Sequence, residues 1–304
     1  MMRIASSGVT QEVRQVKPFF LKTLVVLLPV LSLQCSSRPT TTNVADATQD
    51  ASLDRFVWQD LVTDDVEGSR RFYASLLGWE FEETTRLGKP YLLVRANETI
   101  VAGIASVERE DPNEPIAQWL SYLRVADLDQ VVGEVERAGG RVLVAPVTLE
   151  GVIRAAVVTD ALGAPLGLVS FDEEVPVEPE TSPLQPFLWR DYLAPDVDAA
   201  LSFYEGVQGY DAERLSQPGG RAHYVFRGPG TSRPVGGLVG IGDAPVRASW
   251  LPYVKVRDPA ALAERANELG GRVLLAPSPN VRNGGLAIVA DPSGAPLALQ
   301  KWPL

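Results

Sequence analysis

Apolar and polar positions alternate from Phe56 to Thr63 in a stretch rich in Val, Leu and Trp, which predicts a half-buried strand. Thr63, Asp64 and Asp65 then offer N-cap oxygens. Val66, Tyr73, Leu76 and Leu77 fall near one helical face over 66–77, and Gly78 can close that helix. Three strand-like runs follow at 79–84, 90–96 and 100–107, punctuated by Pro90 and Gly103. The order then restarts with a strand at 119–125 and Asp127 as an N-cap. Leu128, Val131, Val132, Val135 and Ala138 recur at helical spacing. Gly139-Gly140 stops that helix, and strands follow at 141–148, 152–159 and 165–171. The block reads β-α-β-β-β twice.

The chain then says the same thing again, 131 positions further on. Trp58 and Trp189 keep that offset, as do Asp60 and Asp191, Trp119 and Trp250, Tyr122 and Tyr253, and Asp160 and Asp291. So do Phe72-Tyr73 and Phe203-Tyr204, the runs GGRVLVAP (from Gly139) and GGRVLLAP (from Gly270), and two Gly-Ala-Pro triplets at 163 and 294. A period this long exceeds that of solenoid repeats, so each copy is expected to have its own core. The expected organisation is a leader at 1–35, a flexible tether at 36–53, domains at 54–171 and 187–304, and an acidic, proline-rich linker at 172–186. Helices in the second copy are expected at about 196–207 and 259–269.

Charge and composition narrow the partners. The 304 residues carry a net charge of −10. An acidic surface repels phosphate backbones, so no nucleic-acid partner is expected. One cysteine (Cys35) and one histidine (His223) exclude an intrachain disulfide and any site of several His or Cys ligands. No Ser-His-Asp set stands out around a single histidine, and the glycines of 228–237 lack a phosphate-binding order.

Basic residues precede an apolar run from Thr23 to Leu33, which is too short for a stable membrane span and fits the core of a secretory signal. Cys35 follows it, and the polar stretch after Cys35 suits a tether. This arrangement resembles a bacterial lipoprotein signal. It departs from that pattern at Ser32 and Gln34, where Leu and a small residue are usual. The expectation is export to the cell envelope with a lipid on Cys35 as the membrane partner.

Paired β-α-β-β-β units, FY in the first helix, GGRV after the second and D-x-x-G-A-P near the last strand resemble the vicinal oxygen chelate superfamily of glyoxalase I, extradiol dioxygenases and bleomycin-resistance proteins. The resemblance covers about 54–171 and 186–302. It implies an α+β fold of two tandem domains, each of two βαβββ modules forming a cupped, barrel-like mixed sheet. It also implies that the domains pair about a pseudo-two-fold axis within the chain. The superfamily's metal ligands would map to Gln59, Trp119 and Gly167, and to Arg190, Trp250 and Ala298. Only Gln59 among these has a donor for a hard cation, so no metal and no cofactor are expected.

Strand alternation then places Trp119 and Ser121 on the cup face, together with Gln59, Val57 and Leu61. Two readings of Trp119 and Trp250 compete: indoles that fill the vacated space, or a stacking wall for a flat ligand. In the second reading Gln59, Ser121, Arg154 and Arg190 complete the cup lining. Asp60 and Asp191 would point to the other face, as caps or ion pairs. His223 reads as an ordinary strand histidine. The expected function is binding of a small molecule, with no assigned catalytic residue. The competing classes are a glyoxalase-like lyase or isomerase with an atypical metal site or none, and an envelope scaffold that binds nothing.

Overall fold

A computed structural model describes residues 53–109, 116–149, 153–171, 187–216 and 222–302. The leader, Cys35, nearly all of the tether and the linker lie outside the described residues. The first domain runs β1 (Phe56–Thr63), α1 (Val66–Leu77), β2 (Glu80–Arg86), β3 (Lys89–Ala96) and β4 (Thr99–Ser106), then β5 (Gln118–Arg124), α2 (Leu128–Arg137), β6 (Arg141–Leu149), β7 (Ile153–Thr159) and β8 (Pro165–Phe171). The second repeats it with β9 (Phe187–Ala194), α3 (Val197–Gln208), β10 (Asp211–Arg214), β11 (His223–Arg227) and β12 (Pro234–Gly240). Then come β13 (Ser249–Val256), α4 (Pro259–Glu268), β14 (Arg272–Leu275), β15 (Leu286–Ala290) and β16 (Pro296–Lys301).

Local chemistry sets the helix limits. Asp65, Asp127, Asp196 and Asp258 each accept a backbone N–H of the first turn of α1, α2, α3 and α4. Gly78 and Gly209 close α1 and α3 in the left-handed conformation, at φ 69° and 64°. No helix among the described residues is long and apolar enough to cross a membrane.

Each domain forms one eight-stranded mixed sheet, in the order β2-β3-β4-β1-β5-β8-β7-β6 and its counterpart β10-β11-β12-β9-β13-β16-β15-β14. The first sheet curls into a half-barrel. Because side chains alternate, each sheet has a helix-covered face and a helix-free face. Leu61, Leu123, Ala156, Val158 and Leu168 face the helices; Val62, Leu120, Ala155, Val157 and Val169 face away from them.

The helix-covered faces of the two domains pack against one another. One core joins β1, α1 and β4 of the first domain to β13, α4 and β16 of the second. The other joins α2, β7 and β8 to β9, α3 and β12. Helix α1 meets α4, and α2 meets α3. Exchanging the domains maps each of these contacts onto the other.

Candidate binding site

The helix-free face of the first domain centres on a buried carboxylate. Asp60 on β1 is only 1% exposed. Its Oδ1 accepts from Trp58 Nε1 at 2.7 Å and from the Tyr91 hydroxyl at 2.5 Å. Tyr122 on β5 lies close enough to bias the Asp60 proton, yet its hydroxyl and Asp60 Oδ2 do not meet in hydrogen-bonding geometry, and both are buried without a partner. Arg86, at the end of β2, lies 4.3 Å over the Tyr91 ring and also leaves a buried Nη1 without a partner. Burial pushes the Asp60 carboxyl above its ordinary value; the hydrogen bonds from Tyr91 and Trp58 and the Arg86 charge pull it back in part. Burial likewise pushes Tyr91 and Tyr122 up, so both hydroxyls stay protonated.

Small residues on flanking strands make the room. Gly103 pairs with Asp60 across β1 and β4. A Cβ there would sit 1.6 Å from the Tyr91 hydroxyl and 2.7 Å from Asp60 Oδ1. Gly167, opposite Tyr122, would place a Cβ 1.9 Å from that ring. The second domain repeats the plan. Gly237 pairs with Asp191, whose Oδ1 accepts from Trp189 Nε1 and whose Oδ2 accepts from the Tyr253 hydroxyl, both at 2.7 Å. Ala298 stands opposite Tyr253 as Gly167 stands opposite Tyr122.

The structure sets strand alternation one residue out of phase with the expectation, and the six expected lining residues lie off the helix-free faces. Trp119, Ser121 and Gln59 face the helices: Trp119 Nε1 donates to the Tyr73 hydroxyl of α1 at 3.0 Å, and Ser121 Oγ donates to Gln59 Oε1 at 3.0 Å. Trp250 mirrors Trp119, donating to the Tyr204 hydroxyl of α3 at 2.9 Å. Arg154 points the same way and forms a two-pronged ion pair with Asp129 of α2, at 2.7 and 3.0 Å. Arg190 lies between the domains, 5.0 Å over the Phe56 ring, with a buried Nε that has no hydrogen-bond partner. Burial and the nearby Arg55 charge pull its pKa down to about 9. Of the positions mapped to the superfamily's ligands, only Gly167 and Ala298 lie on the helix-free faces. The side chains that meet on the first of these faces are Trp58, Asp60, Arg86, Tyr91 and Tyr122.

The strongest repeated residues join the domains instead. Asp160 of D-x-x-G-A-P accepts backbone N–H groups of Leu162 and Ala164, and also the Tyr204 hydroxyl from the other domain at 3.0 Å. Asp291 accepts from Ala295 N and, across the domains, from Ser69 Oγ at 2.8 Å. Burial raises both carboxyls.

These shifts fix the sign of a pH response. A carboxyl raised on folding contributes stability that is present below its ordinary value of 3.8 and is lost as pH rises through the folded value. The His223 ring is lowered, chiefly by burial, so its contribution is present above 6.5 and fades as pH falls. Asp60→Asn keeps an acceptor for Trp58 and Tyr91 but removes the ionisation. Urea unfolding is expected to show a shallower loss of stability in this variant as pH rises above about 4; an unchanged slope would place the titration elsewhere.

Comparison with known proteins agrees with this architecture. The family model described as Glyoxalase/Bleomycin resistance protein/Dioxygenase superfamily matches residues 52–165. The chain belongs to that superfamily. It is 30% identical over 248 residues to "Putative glyoxylase CFP32" of Mycobacterium bovis, covering 80% of this chain and 93% of that protein. It is 29% identical over 255 residues to "Anthracycline biosynthesis protein DnrV" of Streptomyces peucetius, covering 78% and 90%. The Mn(II)-bound glyoxalase from Novosphingobium aromaticivorans has the same fold, with a TM-score of 0.54 at 13% identity over 82% of each chain. So does 2,2',3-trihydroxybiphenyl 1,2-dioxygenase from Sphingomonas wittichii, with a TM-score of 0.54 at 14% identity over 82% of this chain and 91% of that one.

Proposed function

We propose that the first domain binds a small organic molecule on its helix-free face, without a metal ion. One observation carries this reading: Arg86 Nη1 is buried without a hydrogen-bond partner in one cluster with Asp60 Oδ2 and the Tyr122 hydroxyl, which lie close to each other but outside good hydrogen-bond geometry. Leaving such a group unsatisfied costs roughly 1–3 kcal/mol, more when it is charged, so a polar ligand that meets them recovers that cost. Tyr91, Tyr122 and Trp58 supply aromatic walls for its apolar body.

The donor set does not fit a divalent cation. Asp60 is a single carboxylate whose Oδ1 is already occupied, and the Arg86 charge acts on the same spot. The described residues hold no group of three His, Cys, Asp or Glu side chains. The test is a thermal-shift screen of neutral and acidic aromatic compounds, run with and without chelator. A compound that raises the melting temperature equally in both, and less in Asp60→Leu, supports the reading. Stabilisation abolished by chelator would overturn it.

A lyase or isomerase is the second reading, favoured by the "glyoxylase" in the name of the mycobacterial relative. Export and lipid attachment at Cys35 belong to the proposal as well, supported by the basic and apolar leader before it. Release of Cys35→Ser from the membrane fraction is the expected result; wild-type protein already in the soluble fraction would sink that part.

A further inference from the structure

The second helix-free face is not a copy of the first. Tyr91 pairs with Ala105, two residues beyond Gly103; His223 pairs with Val239, two residues beyond Gly237. His223 therefore occupies the ladder position of Tyr91 and shares the side of the sheet that carries Asp191. Tyr91 reaches its carboxylate and seals the first site. The shorter imidazole is half-buried and forms no hydrogen bond among the described residues, and both His223 and Trp189 are less buried than their counterparts Tyr91 and Trp58.

Its cation also comes from elsewhere in the fold. Arg86 belongs to the β2 hairpin, whereas Arg282 is in the turn between β14 and β15. Arg282 and Asn283 are consecutive non-glycine residues in the left-handed region, at φ 47° and 52°, a strained conformation of the kind found at functional sites. The Arg282 guanidinium lies 5.0 Å over the Tyr253 ring and donates Nη1 to Gln300 Oε1 at 2.9 Å. Its Nη2 is 3.6 Å from Asp191 Oδ2, an ion pair without a hydrogen bond. Both Asp191 oxygens already accept from Trp189 and Tyr253. Of the five guanidinium donors, the described residues engage one, and the side chain is 32% exposed. The charged and titratable groups of the cluster are thus Asp191, Arg282, His223 and Tyr253, whose hydroxyl burial keeps protonated. Asp191 and Arg282 offset one another, and burial favours the neutral imidazole.

We propose that this face is a second, chemically distinct binding site, for a small carboxylic acid with a flat apolar body. The fork of Arg282 takes the carboxylate, Trp189 and Tyr253 flank the apolar part, and His223 accepts a hydrogen bond from a hydroxyl beside the carboxylate. The site goes beyond the reading of the first domain and does not depend on it. A metal is disfavoured by the guanidinium beside Asp191.

The chain's one histidine makes the test specific. The imidazole signals of histidine-labelled full-length protein report on this face alone. Titration with mandelate, an aromatic 2-hydroxy acid, is expected to shift them saturably in the millimolar range. Benzyl alcohol, which lacks the carboxylate, and inorganic phosphate, which lacks the ring, are expected to leave them in place. Arg282→Gln should abolish the mandelate shift and Arg282→Lys should retain part of it. Tyr122→Phe, in the first domain, should leave it intact. Thermal melting checks that the variants fold. No shift with mandelate, an equal shift with benzyl alcohol or phosphate, or a shift that survives in folded Arg282→Gln would each overturn the proposal. Loss of the shift only in Tyr122→Phe would place the ligand in the first domain and overturn it too.

Discussion

Trp250→Ala is expected to lower the unfolding free energy by about 3–5 kcal/mol, the usual cost of removing a large aromatic side chain from a core. Trp250 packs against Phe56, Tyr192 and Tyr204, with ring centroids 4.9, 5.3 and 5.3 Å away. Its indole N–H begins a chain that runs through the Tyr204 hydroxyl to Asp160 of the other domain. The cavity therefore opens at the seam, and both domains should lose stability together. Urea unfolding followed by circular dichroism measures the loss. The same variant decides between the two sequence readings of this residue. A loss below about 1 kcal/mol, coupled to weaker ligand binding, would make Trp250 the wall of an open pocket and undo the packing assignment.

The limits of legibility follow from the same residue. Helix α1 is legible because Asp65, the apolar stripe and Gly78 agree, and it spans the expected 66–77. The strands and the two-fold module plan are legible for the same reason: local period and turn chemistry point the same way. The face of each strand is a different matter. On β1 and β5 both phases are buried, one by helices and the other domain, one by the curl of the sheet, so hydrophobicity does not separate them. The repeat does not separate them either. Trp119 and Tyr122 both keep the 131-residue offset, one for the seam and one for the site.

A usable signal lies in residues that carry no chemistry of their own. Gly103 and Gly237, and Gly167 with Ala298, stand opposite Asp60, Asp191, Tyr122 and Tyr253. Small residues in strand interiors mark where another group approaches closely, and here they mark the helix-free faces. Arg86 and Arg282 carried no such mark. They occupy unmatched places in the two copies, so no repeat could reveal them, and only the folded chain brings them to the carboxylates.

Two tyrosines beside one carboxylate give the sharpest test of the first site. Tyr91 donates to Asp60 at 2.5 Å, so Tyr91→Phe is expected to cost about 1–3 kcal/mol of stability. Tyr122 is as deeply buried, but its hydroxyl meets Asp60 outside good hydrogen-bond geometry. Tyr122→Phe keeps the ring against Gly167 and removes a poorly satisfied group. Its stability is expected to stay within about 0.5 kcal/mol of wild type or to rise by up to about 1 kcal/mol. Binding should move the other way: a ligand that uses the hydroxyl would bind roughly tenfold more weakly to Tyr122→Phe. Chemical unfolding and calorimetric titration of one ligand from the screen measure the two effects. A hydroxyl that costs stability when unliganded and contributes affinity when liganded belongs to a binding site. If Tyr122→Phe is as destabilised as Tyr91→Phe, that hydroxyl serves the fold, and the polar cluster around Asp60 is a core network that binds nothing.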